Sequence, residues 1–232
     1  MRGRREPQPA CKAVDKILEI LRRQGIDLDD CPEQPDEPRR MDALTLAAAR
    51  IPWMYQDAVA DHPQVQDWLR QVKAAARRGP GGVPGIARSR SLLLLGPTGT
   101  GKTYQAYGAV RSLLGDGVRL GWRATTAADL NATMRLRQGH DGEEEFGKLK
   151  RTPLLILDDL GAATSNAWTD EHLYRLVNYR YNEMLPTILT SNLDTDELER
   201  RLGDRVVSRL SQMCDVAVLD GADRRFAAHG TP

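Results

Sequence analysis

Residues 96–103 read Gly-Pro-Thr-Gly-Thr-Gly-Lys-Thr and directly follow the apolar run Ser91-Leu92-Leu93-Leu94-Leu95. Glycines at this spacing let backbone N–H groups turn inward around a polyphosphate, and a helix starting at the lysine adds its positive end. Pro97 has no N–H, so the cradle must use the amides from Thr98 onward. Lys102 is expected to reach the β- and γ-phosphates, and the Thr103 hydroxyl to bind Mg²⁺. The bland alternative, a glycine-rich turn before an ordinary helix, does not need the strand, lysine and threonine together. A second apolar run, Leu154-Leu155-Ile156-Leu157, ends in Asp158-Asp159. A buried strand delivering carboxylates at its C-terminal end is what a Mg²⁺–nucleotide site requires, with Asp158 on the metal and Asp159 polarising a water as general base. Thr187-Ile188-Leu189-Thr190-Ser191-Asn192 ends in a polar trio, from which Asn192 is the candidate for orienting that water. Arg205 and Arg209 share one face of a helix after Gly203, either as a solvated face or with an arginine given to a neighbouring subunit's nucleotide.

These residues need elements to hold them. Strands are expected at Ser91–Leu95, Val118–Trp122, Leu154–Asp158, Thr187–Ser191 and Val216–Leu219. Helices are expected from Lys102 to Leu114, over Ala127–Arg137 and over Trp168–Met184. This alternation predicts an α/β fold whose sheet is parallel and covered by helices on both faces. Further upstream, Asp61-His62-Pro63 reads as a helix start, with Val65, Trp68, Leu69 and Val72 forming an apolar stripe. Ala10–Arg23 is a short amphipathic helix candidate, followed by the proline- and charge-rich linker 29–38. A boundary near residue 40 therefore separates an N-terminal region, 1–40, from a domain over 41–232 with its core at 89–220. From Arg70 to Arg90 every charged residue is basic, which suits either a solvated connector or contact with a nucleic-acid backbone.

The chain is 232 residues with a net charge of +1, so overall charge singles out no partner. Three widely spaced cysteines without a C-x-x-C pair argue against a disulfide framework or a zinc site. No apolar stretch has bilayer length, and no signal core follows the basic start. No membrane association is expected, and a cytoplasmic location is.

Taken in order, the phosphate loop, LLILDDLG, ILTSN and RVVSRL resemble the AAA+ ATPases of the DnaC/IstB type over about residues 41–225. The resemblance implies a P-loop NTPase: a three-layer αβα fold on a mainly parallel five-stranded sheet, with a small helical N-terminal extension. A C-terminal lid is expected to be reduced or absent, because little sequence follows Leu219. It also implies a nucleotide-contacting set of Gly96, Pro97, Thr98, Gly99, Thr100, Gly101, Lys102, Thr103 and Tyr104. To these the resemblance adds Ile51 at the adenine pocket and Arg225 in a late Gly-x-Asp-x-Arg segment. Thr103 and Asp158 would hold Mg²⁺, Asp158-Asp159 would be the Walker B pair, Asn192 sensor 1, and Arg209 a finger acting in trans. ATP and Mg²⁺ are the implied cofactors. The implied activity is an ATPase, slow and stimulated by DNA or a partner, because Asp159 stands where many AAA+ proteins carry glutamate. The implied role is loading a replicative helicase onto single-stranded DNA, with self-association in the ATP state and helicase binding through residues 1–40. The basic residues Arg135, Arg137, Lys148, Lys150 and Arg151, with Phe146 for stacking, are the expected DNA contacts. Two alternatives stand beside this role: a transposase helper acting on duplex DNA, and an ATP-dependent adaptor that hydrolyses little.

Overall fold

The computed structural model describes residues 45–78, 82–134, 142–161 and 167–221. The N-terminal region 1–40 and Arg135, Arg137 and Arg225 lie outside the described residues. In chain order the strands are β1 (Arg77–Arg78), β2 (Pro84–Gly85), β3 (Ser91–Leu95), β4 (Trp122–Thr126), β5 (Leu154–Asp158), β6 (Thr187–Ser191) and β7 (Cys214–Val218). The helices are α1 (Pro63–Ala75), α2 (Lys102–Gly115), α3 (Ala127–Met134), α4 (Gly142–Arg151), α5 (Ala167–Asn182), α6 (Thr195–Leu202) and α7 (Asp204–Met213).

All of β3 and β6 is buried, as is β5 up to Asp158; the aliphatic runs of β3 and β5 fit parallel strands covered on both faces, while β6 buries Thr187, Thr190 and Ser191 as well. Five strands pair in parallel in the order β4-β5-β6-β3-β7. Alternation along β3 sends Leu92 and Leu94 to one core, with Trp68 and Leu69 of α1 and Val110 and Leu113 of α2. Leu93 and Leu95 enter the other core, with Phe146 of α4, Leu176 of α5 and Leu210 of α7. The result is three layers, helices on each face of a parallel sheet, as the alternating sequence implies.

Two strand boundaries differ from the sequence reading. Val118, Leu120 and Trp122 are all buried on one face, but only Trp122 starts a strand, paired with Leu154. The 118–121 backbone bonds elsewhere: the Arg119 N–H donates to the Pro84 carbonyl at 2.8 Å, and the Ile86 N–H to the Arg119 carbonyl at 3.3 Å. The alternating apolar pattern therefore reports burial of a connector, and β4 is the more polar WRATT at the sheet edge. The last strand begins at Cys214, paired with Ser91, and not at Val216.

A fully buried arginine ties the N-terminal edge of this sheet together. Arg180 Nε donates to Thr187 Oγ1 at 2.7 Å. Its other nitrogens donate to the carbonyls of Leu149, Lys150, Thr152 and Pro186 at 3.3, 3.0, 2.8 and 2.8 Å. Burial pulls its pKa down to about 9. The guanidinium thus joins the end of α4 and the starts of β5 and β6 through neutral oxygens alone.

Candidate nucleotide site

The glycine loop lies between β3 and α2 in backbone conformations that side chains oppose. Gly99 has φ 87° and Gly101, the residue before the helix, φ 94°. Gly96 is tighter still: a Cβ there would lie 2.1 Å from the Leu219 carbonyl oxygen. Leu219 in turn donates its N–H to the Leu95 carbonyl at 2.7 Å, so the chain leaving β7 packs on the loop's first residue. Lys102 Nζ donates to the carbonyls of Gly96 and Pro97, both at 2.7 Å, which holds the ammonium across the loop that must receive phosphate. Charged phosphate oxygens are stronger acceptors for it than these neutral carbonyls.

The acids arrive from β5. Asp158 stands at the end of the strand, half-buried, and faces Thr103 on α2: Thr103 Oγ1 lies 3.1 and 3.2 Å from its two carboxylate oxygens. A hydroxyl and a carboxylate brought together this way form a hard oxygen pair that suits Mg²⁺, so Thr103 and Asp158 are the residues that would hold it. Bound there, the ion would neutralise phosphate charge.

β6 is inserted between β3, which carries the phosphate loop, and β5, which carries the acids. Its end therefore falls between the two halves of the site. Thr190 Oγ1 donates to Asp158 Oδ1 at 2.5 Å and accepts from the Asp159 N–H at 2.9 Å. Asn192 Nδ2 donates to Asp159 Oδ1 at 2.9 Å. Asp159 itself takes φ 60°, a left-handed conformation uncommon for a side-chain-bearing residue, and the Thr190 and Asn192 bonds hold it there. The structure thus brings together Lys102, Thr103, Asp158, Asp159 and Asn192. Thr190, which the sequence reading left within a polar trio, is the residue that connects them. Strand alternation puts 190 and 192 on one side and 191 on the other, which is the signal that could have found it.

Tyr107, one turn after Thr103, was also missed. It stacks on Tyr55 at 4.6 Å between centroids and meets Trp122 edge-on at 6.0 Å. Burial, then the Asp158 charge, push its hydroxyl pKa up to about 12. Tyr104 donates its hydroxyl to the Asp57 carbonyl at 2.9 Å and so pins α2 to the segment after Ile51. Ile51 is buried in the core, while its neighbours Arg50 and Pro52 line a cleft of about 530 Å³ with Tyr107 and Trp122.

Arg209 sits away from these groups. Its Nε donates to Asn178 Oδ1 at 2.7 Å and its Nη2 to the Tyr174 hydroxyl at 3.0 Å. Nη1 donates to the Arg205 carbonyl at 3.0 Å, and the guanidinium lies 4.8 Å from the Tyr174 ring centre. All these partners are on α5 and α7, and none belongs to the nucleotide site of the same chain.

The expected DNA contacts change more. Phe146 is fully buried beneath Lys150 and Arg175, each 5.0 Å from its ring centre, so no base can stack on it. Its place on the apolar side of α4, beside Leu149, explains the burial. Lys148 is bridged to Glu144 and Glu145 at 2.9 and 2.5 Å. Arg151 is exposed at the helix end.

Residues 61–225 match the family described as IstB-like ATP binding protein. The chain is 26% identical to the replicative helicase loader DnaI of Bacillus subtilis over 60% of its length and 48% of that protein's. It is 30% identical to an insertion sequence IS21 putative ATP-binding protein of Pseudomonas aeruginosa, over 70% and 59%. With the replicative helicase loader DnaC of Escherichia coli it shares 27% identity over 52% and 49%. The matches thus span about half the length of these relatives. The fold resembles the crystal structure of the DnaC helicase loader with a TM-score of 0.59 at 24% identity, covering 72% of this chain and 99% of that one. It resembles that of DnaI with a TM-score of 0.57 at 22% identity, covering 80% and 93%. Among the described residues no helix is long and apolar enough to cross a membrane. The phosphate loop with its paired acid strand, and a family match over most of the sequence, agree: this chain is an AAA+ protein that belongs to the IstB-like ATP-binding family.

Proposed function

We propose that this protein is an ATP-hydrolysing helicase loader. The observation that carries ATP hydrolysis is the continuous set of hydrogen bonds from Thr103 through Asp158 and Thr190 to Asp159 and Asn192. Relatives named as helicase loaders support the loading role. The loop from Thr98 to Thr103 binds the triphosphate through its amides, and Lys102 exchanges its loop carbonyls for phosphate oxygens. Asp159 and Asn192, both exposed beside the metal-binding pair, hold the attacking water, and Asp159 takes its proton. Aspartate is one methylene shorter than the glutamate it replaces, so this base reaches less far and turnover is slow. Arg209 acts on the ATP of a neighbouring subunit, which accounts for its having no contact with its own site. Residues 1–40 take the helicase, and self-associated ATP-bound subunits hold single-stranded DNA until hydrolysis releases them.

A second reading, a helper ATPase that recruits a transposase on duplex DNA, is favoured by the 30% identity to an IS21 ATP-binding protein. Affinity capture from host lysate with ATP present, read by mass spectrometry, separates the two. The loader reading requires a hexameric replicative helicase that is lost when residues 1–40 are deleted. Recovery of a transposase without helicase would overturn it.

A further inference from the structure

The ATP site occupies the C-terminal edge of the sheet. At the opposite edge, where β3, β5 and β6 begin, there is a cleft of about 670 Å³ lined by Arg77, Arg88, Arg119 and Arg151. None of its described lining residues is acidic and none is aromatic. All four arginines are exposed. Arg88 is bridged to Glu183 at 3.1 Å, while Arg77, Arg119 and Arg151 have no carboxylate partner among the described residues. Other basic residues of the same stretch are paired: Arg70 with Asp67, Lys73 with Asp116, and Arg90 with Asp215. Like-charged guanidiniums gathered without counter-charges repel each other, and that arrangement is offset when an anion enters between them.

The cleft is also built on fixed backbone. The Arg119 N–H is bonded to Pro84, the Leu154 N–H to the Gly121 carbonyl at 3.1 Å, and the Ser89 N–H to the Met184 carbonyl at 3.1 Å. Buried Arg180 ties the segments carrying Arg151 and Leu185 together from below. The arginines are therefore presented from a rigid floor.

We propose that this cleft binds the phosphodiester backbone of duplex DNA, as a nucleic-acid surface separate from the ATP site. Planar guanidiniums match phosphate oxygens two at a time. The lack of any aromatic ring removes the base stacking on which single-strand binding depends. What remains is backbone charge, which is denser on a duplex than on one strand. A strand of five residues spans about 16 Å. The cleft and the nucleotide are thus on opposite ends of the sheet, and substitutions here leave the ATP site intact.

The test is fluorescence anisotropy of a labelled duplex with full-length protein, without nucleotide, across a salt series. The proposal rests on surface chemistry and not on helicase loading, so helicase capture by the same variants distinguishes its failure from that of the loader reading. Each phosphate contact contributes about 0.9 to the slope of log affinity against log salt. Arg119→Ala with Arg151→Ala should flatten the slope by about 1.8, so a fourfold rise in salt weakens wild type roughly twelve-fold more than the variant. The double lysine variant should restore the slope. Arg77→Ala, on the exposed β1 ribbon, should lower it by about 0.9 whether or not the double variant folds. An unchanged slope in both alanine variants, single-strand binding that weakens as much as duplex binding in those variants, or equal displacement of DNA by polyglutamate at matched charge would each overturn the proposal.

Discussion

Thr190→Val is the most informative single change in the site. It keeps the shape and the β-branch of a residue that is 2% exposed and removes only the hydroxyl. Two bonds are lost: the one donated to Asp158 Oδ1 at 2.5 Å and the one accepted from the Asp159 N–H at 2.9 Å. Orphaning a buried donor costs about 1–3 kcal/mol, and a bond to a charged group contributes about 1.5–3 kcal/mol. Asp158 keeps Thr103, and Asp159 is exposed enough for water to take over part of the loss. The sum is therefore discounted to about 2 kcal/mol, which for a domain of this size lowers the melting temperature by about 4–8 °C. Asp159 then loses the bond that holds its left-handed backbone, and its carboxylate moves from where we propose it holds the attacking water. Turnover should fall by about tenfold for each 1.4 kcal/mol of positioning lost, while ATP affinity, set by the untouched loop and Lys102, stays near wild type. Thr190→Ser, which restores the hydroxyl, should recover turnover. Calorimetry and a coupled phosphate-release assay read both effects. A valine variant that melts and hydrolyses like wild type would refute the argument that Thr190 joins the two acids.

Other changes probe the loop, the buried arginine, the tyrosine cluster and the finger separately. Gly96→Ala places a methyl against the Leu219 carbonyl, where the gap is 2.1 Å, and should abolish nucleotide binding in an equilibrium titration with a fluorescent ATP analogue. Arg180→Met leaves five acceptor groups without their donor and should lower stability by about 3–5 kcal/mol, read from urea unfolding. Tyr107 has a folded pKa raised from 10.0 to about 12, so its stabilising proton is present below pH 10 and lost as pH climbs through 12. Wild type should therefore lose stability more steeply than Tyr107→Phe in that window, and parallel urea midpoints would contradict this. Arg209→Ala should keep ATP binding and lose turnover by roughly 10³-fold, with activity returning when it is mixed with Lys102→Ala subunits.

Much of the site was legible because its chemistry demands rare residues at fixed spacing. A phosphate loop needs glycines where φ is positive and a lysine at the helix start, and the two acids had to end a buried strand. Asn192 and the five-strand parallel sheet followed from the same pattern. Less visible were contacts whose meaning depends on a partner strand. Thr190 becomes a connector only because β6 lies beside β5, and no local pattern states that order. Val118 and Leu120 alternate like a strand but bond to a ribbon through Arg119, which hydrophobicity cannot report. Phe146 was mistaken for a stacking platform because the flanking acids and lysines conceal that its side of α4 faces the core. The buried Arg180 gave no warning in the sequence, since its partners are all backbone carbonyls or a threonine hydroxyl.

Lys102, Asp158 and Asp159 are proposed to form one hydrolytic site. The direct measurement is ATP turnover, with ATP binding in parallel, for wild type, Lys102→Ala and Asp158→Ala, with and without DNA. Turnover should be slow in wild type, rise with DNA and disappear in both variants, with binding lost in Lys102→Ala. Wild-type turnover no higher than that of the variants would contradict it and leave an ATP-binding adaptor without catalysis.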